Sequence, residues 1–245
     1  YFHNNQSFYH FWYNLSLMRI VLIDKEEGQK IGGVGIYTTR FYKYLKDLGH
    51  TVFIFRFTKK KQQDKNIVEI PLYFAEERGL LIIPTEKTLR VIRENLSKVK
   101  PDIVYLAIGM APLFDFFIPS VCHDFKIPIA GAWHADFNNT AGSYQLLTKT
   151  LFIAYLPLVK QLDLLHVFSD KLANFYIDKG ILRKRILVLP NGVDEKFYTP
   201  GKSNFAKRHQ INNCVLFLGR LTLQKNPEIL IKSFLGINPS IDTKL

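Results

Sequence analysis

Short apolar runs alternate with helical patterns along most of the chain, and this alternation limits the folds that the chain can adopt. The runs with strand character are Arg19–Asp24, Thr51–Phe57, Asn66–Leu72, Asp102–Ala107, Pro128–Ala132, Asp163–Phe168, Arg185–Leu189 and Cys214–Leu218. Apolar strands that alternate with helices are typical of a parallel sheet covered on both faces. The sequence therefore predicts an α/β fold with a Rossmann-like parallel sheet and helices on both faces. Binding sites of such sheets lie beyond the carboxyl ends of the strands.

The first helical pattern follows the first predicted strand. Its spacing places these apolar residues on one stripe: Tyr37, Phe41, Tyr44, Leu45 and Leu48. Three basic residues are predicted to face elsewhere: Arg40, Lys43 and Lys46. Gly49 is predicted to end the helix, because glycine adopts a left-handed backbone without steric cost.

The pattern also predicts where the domains begin and end. Residues 18–198 are predicted to form one domain, residues 199–213 a polar linker, and residues 214–245 the beginning of a second Rossmann-like domain. These last 32 residues suffice for one strand and one helix, so the apolar side chains of Val215–Leu218 are expected to be poorly covered. Residues 1–17 lack the basic start of a secretion signal. They are predicted to be a non-native leader upstream of Met18 or, alternatively, an aromatic arm at a membrane surface.

Three glycines, at Gly32, Gly33 and Gly35, stand where the first helix begins. A nicotinamide-type GxGxxG turn does not fit, because eight residues separate Asp24 from Gly33 and Thr38 replaces the third glycine. A Walker A loop does not fit either, because no GK[ST] follows. Two interpretations remain: a flexible surface loop, or a bare helix start whose backbone N–H groups approach an anion or a sugar.

A helix start stabilises an exposed anion by only about 0.3–1 kcal/mol, so a bound diphosphate would also need cationic side chains. Arg220 and Lys225 lie in the predicted loop between the last strand and the last helix. Each charge pair is worth roughly 4 kcal/mol at about 4 Å and an effective dielectric constant of about 20. The alternative is that both are ordinary solvated surface charges.

The net charge of +12 suits nucleic acid, an anionic lipid surface or a polyanionic small substrate. Nucleic-acid binding is disfavoured, because no recognised RNA- or DNA-binding motif accompanies the charge. Cys122 and Cys214 form neither a disulfide framework nor a zinc motif, which favours the cytoplasm. The apolar segment Ile103–Val121 contains Asp115, Gly109 and two prolines, so it is predicted to form a buried strand, a turn and a helix rather than a membrane span.

Several motifs occur in one order along the chain: GGVG, AWHADF, VFSDKLANFYIDKG, LPNGVDEKFYTP and FLGRLTLQKNPEILIKSF. In this order they resemble the retaining GT-B glycosyltransferases of the large family four, from Met18 to about Leu235. The resemblance implies two Rossmann-like domains, of which the first largely contacts the acceptor and the second holds a nucleotide-sugar donor. It also implies that Gly32, Gly33 and Gly35 lie against the donor phosphate and sugar.

The same resemblance implies roles for further residues. Arg220 and Lys225 would neutralise the donor diphosphate without a metal, and His134 would contact the transferred sugar. Asp136 would orient His134 or meet the acceptor. Asn191, with Gly192, is expected to form the turn that begins the interdomain connection, since both residue types tolerate left-handed backbone. Asp194 is expected to cap the following turn rather than to act in catalysis.

The expected function is transfer of a sugar from a nucleotide-sugar to a hydroxyl acceptor with retention of configuration. A lipid-linked or polysaccharide acceptor is plausible, and the basic residues of the first helix could meet the anionic inner face of the membrane. The family's later E-x7-E stretch has no counterpart before Leu245, so the chain is expected to be truncated in its second domain and impaired in turnover. The alternative is a non-catalytic fragment that binds an acceptor or docks on a partner.

Overall fold

The structure is a computed structural model that describes most of the chain. The described ranges are residues 16–25, 33–58, 65–71, 85–109, 114–133, 143–196, 198–219, 221, 225–237 and 243–244. The chain divides into two compact units, Tyr1–Asn191 and Gly192–Leu245.

The first unit is built on a parallel sheet of seven strands in the order β3-β2-β1-β4-β5-β6-β7. The strands are β1 (Arg19–Lys25), β2 (Thr51–Thr58), β3 (Ile67–Pro71), β4 (Ile103–Ile108), β5 (Ile129–Trp133), β6 (Leu164–Val167) and β7 (Ile186–Val188). The helices of this unit are α1 (Gly33–Asp47), α2 (Glu86–Val99), α3 (Ile118–Asp124), α4 (Ser143–Gln161) and α5 (Asp170–Asp178). Short 3₁₀ turns span Asp115–Phe117 and Arg183–Arg185. This is the predicted Rossmann-like α/β fold.

The strands are buried on both faces because alternate side chains enter two separate apolar layers. On one face Ile20 and Leu22 of β1 pack with Leu45 of α1. On the other face Val21 and Ile23 belong to the larger layer, which includes α2 and α4. This double burial explains why the strands appear in the sequence as continuous apolar runs.

The first strand marks the point where the strand order reverses. From β1 the chain adds β2 and β3 on one side, and it then returns to place β4 on the other side. In sheets of this kind the crevice beyond the carboxyl ends of the two central strands is the usual ligand site. Here those strands are β1 and β4.

The observed strands of the first unit agree with the predicted runs to within about two residues at each end, as usual for strand boundaries. Segment Ile103–Val121 begins with β4 and ends in α3, as predicted. None of the helices in the described ranges combines the length and the apolar character that a membrane span requires. Cys122 is buried, Cys214 is exposed, and both are free thiols.

The predicted stripe of α1 is partly wrong. Leu45 is buried and Phe41 packs on the sheet, but Tyr44 and Leu48 are 61% and 52% exposed. The helix covers the sheet through a narrower face, which includes Tyr42 instead. The basic residues of α1 are exposed, as predicted: Arg40, Lys43 and Lys46. Gly49 follows the helix with a φ of 91°, the left-handed backbone that was predicted.

The second unit contains α6 (Phe205–His209), β8 (Asn213–Cys214), α7 (Pro227–Leu235) and β9 (Thr243–Lys244). The predicted strand Cys214–Leu218 is wrong in extent, because only β8 pairs, with β9, and residues 215–218 form no ladder. A strand needs a neighbour for its backbone hydrogen bonds, and within the described residues β9 consists of Thr243–Lys244. Leu216 and Leu218 are 75% and 92% exposed, so the expectation of poor coverage is confirmed.

Candidate functional site

The carboxyl ends of β1 and β4 lie side by side at the reversal of strand order, and α1 begins beyond them. The first residue of α1 is Gly33, and Gly35 lies in its first turn. The first turn contains no acidic residue, so no side chain of its own neutralises the positive end of the helix dipole. The structure thus places two of the three predicted glycines at a helix start, as the second interpretation of the glycine stretch requires. Gly32 lies outside the described residues.

On the face of the sheet that α1 covers, a series of hydrogen bonds connects α1, β4, β6 and the segment after β7. The hydroxyls of Tyr37 (α1) and Tyr105 (β4) lie 2.8 Å apart, and the Tyr105 hydroxyl lies 2.8 Å from Nδ1 of His166 (β6). Nε2 of His166 lies 2.8 Å from the carbonyl oxygen of Leu189. We refer to Tyr37, Tyr105, His166 and the Leu189 carbonyl as the relay.

The donors and acceptors of the relay follow from chemistry. A carbonyl oxygen can only accept, so Nε2–H of His166 donates to Leu189. In the neutral ring Nδ1 then carries no proton, so it accepts from the Tyr105 hydroxyl. The Tyr105 oxygen in turn accepts from Tyr37. The bonds therefore run in one direction, from Tyr37 to Leu189.

Burial keeps every member of the relay neutral. Desolvation lowers the pKa of His166 below its ordinary value of 6.5, although the hydrogen bond to Leu189 acts in the opposite sense. Desolvation also raises the pKa of Tyr105 and Tyr37 above the usual range of a phenol. A neutral imidazole between the neutral Tyr105 phenol and the Leu189 carbonyl matches the directed hydrogen bonds.

Small residues on β5 make room for the relay. Ala130 and Ala132 lie on the strand between β4 and β6, with Ala130 beside Tyr105 and Ala132 beside His166 in the register. Because alternate residues share a face, these four side chains project to the same side of the sheet. The rings of Phe41 and Phe168 close the cluster, 5.0 Å from the Tyr105 ring and 4.6 Å from the His166 ring between centroids.

A buried ion pair lies at the same edge of the sheet. Asp24 of β1 and Arg56 of β2 are register neighbours, with Oδ2 and Nη2 separated by 3.7 Å. The side chain of Asp24 is fully buried, and that of Arg56 is 11% exposed. The pair places two opposite charges near the carboxyl ends of β1 and β2.

On the face of the sheet opposite the relay, Asp115 fixes the turn that follows β4. Asp115 accepts a 2.7 Å hydrogen bond from the backbone N–H of Gly109, which has a φ of 85°. Its Oδ2 also lies 3.5 Å from the Tyr155 hydroxyl, and the ring of Tyr155 packs edge-on against Trp133 at the end of β5. These contacts hold the exits of β4 and β5, and His134 follows Trp133 directly in the sequence.

Of the two cationic residues predicted to bind the donor diphosphate, Lys225 lies within the described part of the second unit. Lys225 is exposed and precedes α7, and its Cγ lies 4.0 Å from the position that a Cβ on Gly219 would occupy. Lys225 therefore lies near Gly219, the residue before Arg220 in the sequence. Arg220, His134 and Asp136 lie outside the described residues, and their predicted roles stay predictions.

The interdomain turn is built differently from the expectation. Neither Asn191 nor Gly192 has a positive φ, so the predicted left-handed backbone is wrong at both positions. Both residues are exposed. Asp194 does cap the next turn, because its Oδ1 accepts a 3.0 Å hydrogen bond from the N–H of Lys196. A cluster of His, Cys, Asp and Glu side chains suited to a metal ion is absent from the described ranges.

Sequence reasoning missed the relay. His166 carries no motif, and nothing in its immediate sequence distinguishes it from a core histidine. Tyr105 and Tyr37 fit the apolar patterns of their own elements equally well. The available signal is that Tyr105 and His166 are polar residues in strands otherwise made of aliphatic side chains, but pairing them requires knowledge of the strand order.

The reversed strand order and the helix start beyond β1 define a Rossmann-like domain of the kind found in GT-B proteins. Residues 31–197 match Glycosyltransferase Family 4, and the chain belongs to this family. A search among curated protein sequences found no match.

Solved structures are similar in fold. HepE of Anabaena in complex with UDP-glucose superposes with a TM-score of 0.67 at 16% identity, over 93% of this chain and 59% of that protein. Sucrose-phosphate synthase of Thermosynechococcus elongatus gives 0.65 at 17% identity, over 89% and 60%. A glycosyltransferase of Rickettsia africae gives 0.55 at 20% identity, over 85% and 54%. The chain thus spans less than two thirds of the length of these proteins.

Proposed function

We propose that the chain is part of a glycosyltransferase that moves a sugar from a nucleotide-sugar to a hydroxyl acceptor with retention of configuration. The observation that carries this proposal is the helix start at Gly33 and Gly35, beyond the strand-order reversal of a Family 4 chain. The first N–H groups of an α-helix have no partner within the helix, and no acidic residue of the first turn repels a phosphate. HepE, which has a similar fold, has been solved with UDP-glucose bound.

In the proposed reaction the donor diphosphate is the leaving group. Negative charge grows on it as the bond to the sugar breaks, so nearby fixed cations stabilise the transition state more than the ground state. Arg220 and Lys225 are proposed to supply these cations, and a metal is not part of the proposal. Each 1.36 kcal/mol of such preference is about a tenfold gain in rate.

The proposed contacts to the sugars come from the loop after β5. His134 is proposed to contact the transferred sugar, and Asp136 to orient His134 or to contact the acceptor. The support is position, because Trp133 ends β5 at the carboxyl edge of the sheet and is held there by Tyr155. Asn191 is proposed to act at the domain connection. Gly32 is proposed to lie with Gly33 and Gly35 against the donor.

The proposed acceptor is a lipid-linked sugar or a polysaccharide, reached from the inner face of a membrane in the cytoplasm. Three exposed basic residues of α1 support this proposal: Arg40, Lys43 and Lys46. Exposed Tyr44 and Leu48 lie on the same helix, so charge and apolar surface are available together.

The experiment is to offer several nucleotide-sugars to the full chain and to measure thermal stabilisation and slow donor hydrolysis. A ligand that binds the folded state alone at about ten times its Kd stabilises that state by about 1.4 kcal/mol. Lys225→Ala should lose most of the effect, whereas Lys232→Ala, which removes an exposed lysine of the same unit, should retain it. If no nucleotide-sugar stabilises the wild-type chain, the alternative of a non-catalytic fragment that binds an acceptor or a partner is favoured.

A further inference from the structure

The relay connects two places that the proposed function would use. Tyr37 lies on the helix that begins at Gly33, and Leu189 lies two residues before the end of the first unit at Asn191. Between them, each of the three hydrogen bonds measures 2.8 Å. Their direction depends on the protonation state of one group, the imidazole of His166.

We propose that His166 is a positioning residue whose protonation state sets the direction of the relay and thereby controls how firmly the glycine-bearing start of α1 is held. The proposal rests on the proposed function for its biological meaning, because that function uses the α1 start to bind the donor. The physical coupling itself involves only described residues of the first unit.

In the neutral state the relay is complete. Nε2–H of His166 donates to Leu189, Nδ1 accepts from Tyr105, and Tyr105 accepts from Tyr37. Tyr37 is then the terminal donor, and its hydroxyl ties α1 to β4. This bond joins the helix to the sheet at its fifth residue, one turn from Gly33.

One proton taken from solvent reverses the relay. Protonated His166 has N–H groups at both ring positions, so Nδ1–H must donate to the Tyr105 oxygen. The Tyr105 hydroxyl then donates to the Tyr37 oxygen, and the Tyr37 proton turns away from the sheet. No covalent bond forms or breaks apart from the new N–H bond. The contact between α1 and β4 changes from a hydrogen bond that Tyr37 donates to one that it accepts.

The groups that surround the His166 ring lie on α1, β4 and β5 and on the segments that follow β6 and β7. From α1 the ring is faced by Tyr37, and from β4 by Tyr105, both titratable phenols. The segment after β6 contributes the Phe168 ring, and the segment after β7 contributes the Leu189 carbonyl. Ala132 is its register neighbour on β5. Protonation therefore places a positive charge in a largely apolar cluster, which loosens the packing as well as reversing the hydrogen bonds.

Two substitutions separate the two bonds of His166. In His166→Asn the side-chain oxygen can stand near the position of Nδ1 and accept from Tyr105, while the bond to Leu189 is lost. In His166→Gln the longer side chain can reach Leu189 as a donor, while the acceptor for Tyr105 is lost. Neither side chain titrates, so both variants also remove the protonation step.

The test uses the full chain without any nucleotide-sugar. The first measurement is ¹⁵N NMR of the histidine ring, which should show the Nε2–H tautomer of His166 at about pH 8. The second is amide hydrogen exchange of Tyr37–Phe41, expressed as protection factors from about pH 8 to about pH 5. Protection should fall about fivefold as His166 becomes protonated, because the positive charge in the apolar cluster loosens the packing of α1 on the sheet.

The variants give distinct expected results. His166→Asn should keep the protection of α1 and lose its dependence on pH, and His166→Gln should show the low protection at every pH. Tyr105→Phe, which interrupts the relay without touching the histidine, should resemble His166→Gln and should shift the titration midpoint of His166. The control is Tyr176→Phe, which removes another buried tyrosine hydroxyl, in the apolar layer on the opposite face of the sheet. It should retain the wild-type dependence on pH.

The proposal is overturned if His166 carries its proton on Nδ1, if protection does not change across its titration, or if His166→Gln and Tyr105→Phe both behave like the wild type. A separate titration with UDP-glucose, at about pH 8 and about pH 5, tests donor binding independently of the relay. Donor binding without any change of α1 protection would refute the relay and leave the proposed function intact. A pH-dependent α1 without donor binding would refute only the proposed function.

Discussion

At the scale of single residues, burial outweighs distance in deciding how much an ion pair matters for the stability of the fold. The pair formed by Asp24 and Arg56 is separated by 3.7 Å and almost fully buried, whereas Arg93 and Asp124 approach to 2.7 Å with about half of each side chain exposed. Water screens the shorter pair and not the longer one. Asp24 therefore depends more on its partner than Asp124 does.

Arg56→Met should lower the free energy of unfolding by about 3 kcal/mol, because it removes the buried cation that faces the carboxylate of Asp24. Urea denaturation measures the change. Arg93→Met is the matched control and should cost less than about 1 kcal/mol. Equal losses in the two variants would show that the buried pair has no special role.

The stability of the protein should fall as the pH decreases below about 6.5, in part because of His166. Its folded-state pKa is lowered by burial, so the unfolded chain binds the proton first. More bound protons in the unfolded state make the free energy of unfolding rise with pH, from the folded pKa up to 6.5. Chemical denaturation at several pH values should show this slope, and His166→Asn should reduce it. An unchanged slope in the variant would assign the effect to other groups.

At the scale of elements, β5 is shaped by small residues at its three central positions, between Ile129 and Trp133. Ala130 and Ala132 leave room for the relay, and Gly131 lies against Leu162 and Ile108 on the opposite face. A Cβ at Gly131 would lie 2.7 Å from Cδ1 of Leu162 and 2.8 Å from Cδ1 of Ile108. β5 thus allows side chains of both apolar layers to approach its backbone closely.

Gly131→Ala should destabilise the first unit by about 1–3 kcal/mol, as overpacking of a dense core does. Gly192→Ala is the control, since a Cβ there meets nothing within 4 Å and the backbone has no positive φ. Thermal unfolding monitored by circular dichroism compares the two. A stable Gly131→Ala variant would mean that Leu162 and Ile108 rearrange without loss.

The sequence predicts elements better than it predicts their contacts. The parallel strands are recognisable because both faces are buried, which leaves long apolar runs. Tyr44 of α1 was wrongly predicted to lie on the apolar stripe. Periodicity shows which side of a helix is apolar but not how much of that side the sheet covers. Residues 215–218 were predicted as a strand from apolar character, although a ladder also needs a partner. His166 could not be assigned to the relay because Tyr105 lies 61 residues away in the chain.

At the scale of the whole molecule, the two faces of the first unit differ in what they present. α1 packs on one face of the sheet and α2 on the other, since their buried residues belong to separate apolar layers. Basic side chains of α1 are accompanied by exposed Tyr44 and Leu48. The proposed contact with an anionic membrane surface is therefore tested on the face that carries α1.

Removal of the three basic residues of α1, Arg40, Lys43 and Lys46, should weaken binding to anionic vesicles by about 1 kcal/mol per charge at low salt. Vesicle sedimentation measures the binding. The control removes three exposed basic residues of α2 instead, Lys87, Arg90 and Lys98. If both triple variants lose affinity equally, the interaction reflects net charge rather than the α1 face. If the wild type ignores such vesicles at low salt, the membrane proposal is wrong.

The central proposal is that the helix start at Gly33 and Gly35 binds the diphosphate of a nucleotide. The most direct measurement is a titration of the full ¹⁵N-labelled chain with UDP, followed by amide NMR. The amides of Gly33 and Gly35 are expected to shift together and to saturate with one dissociation constant, while that of Lys232 stays in place. No shift at Gly33 and Gly35, or an equal shift at Lys232, would contradict the proposal.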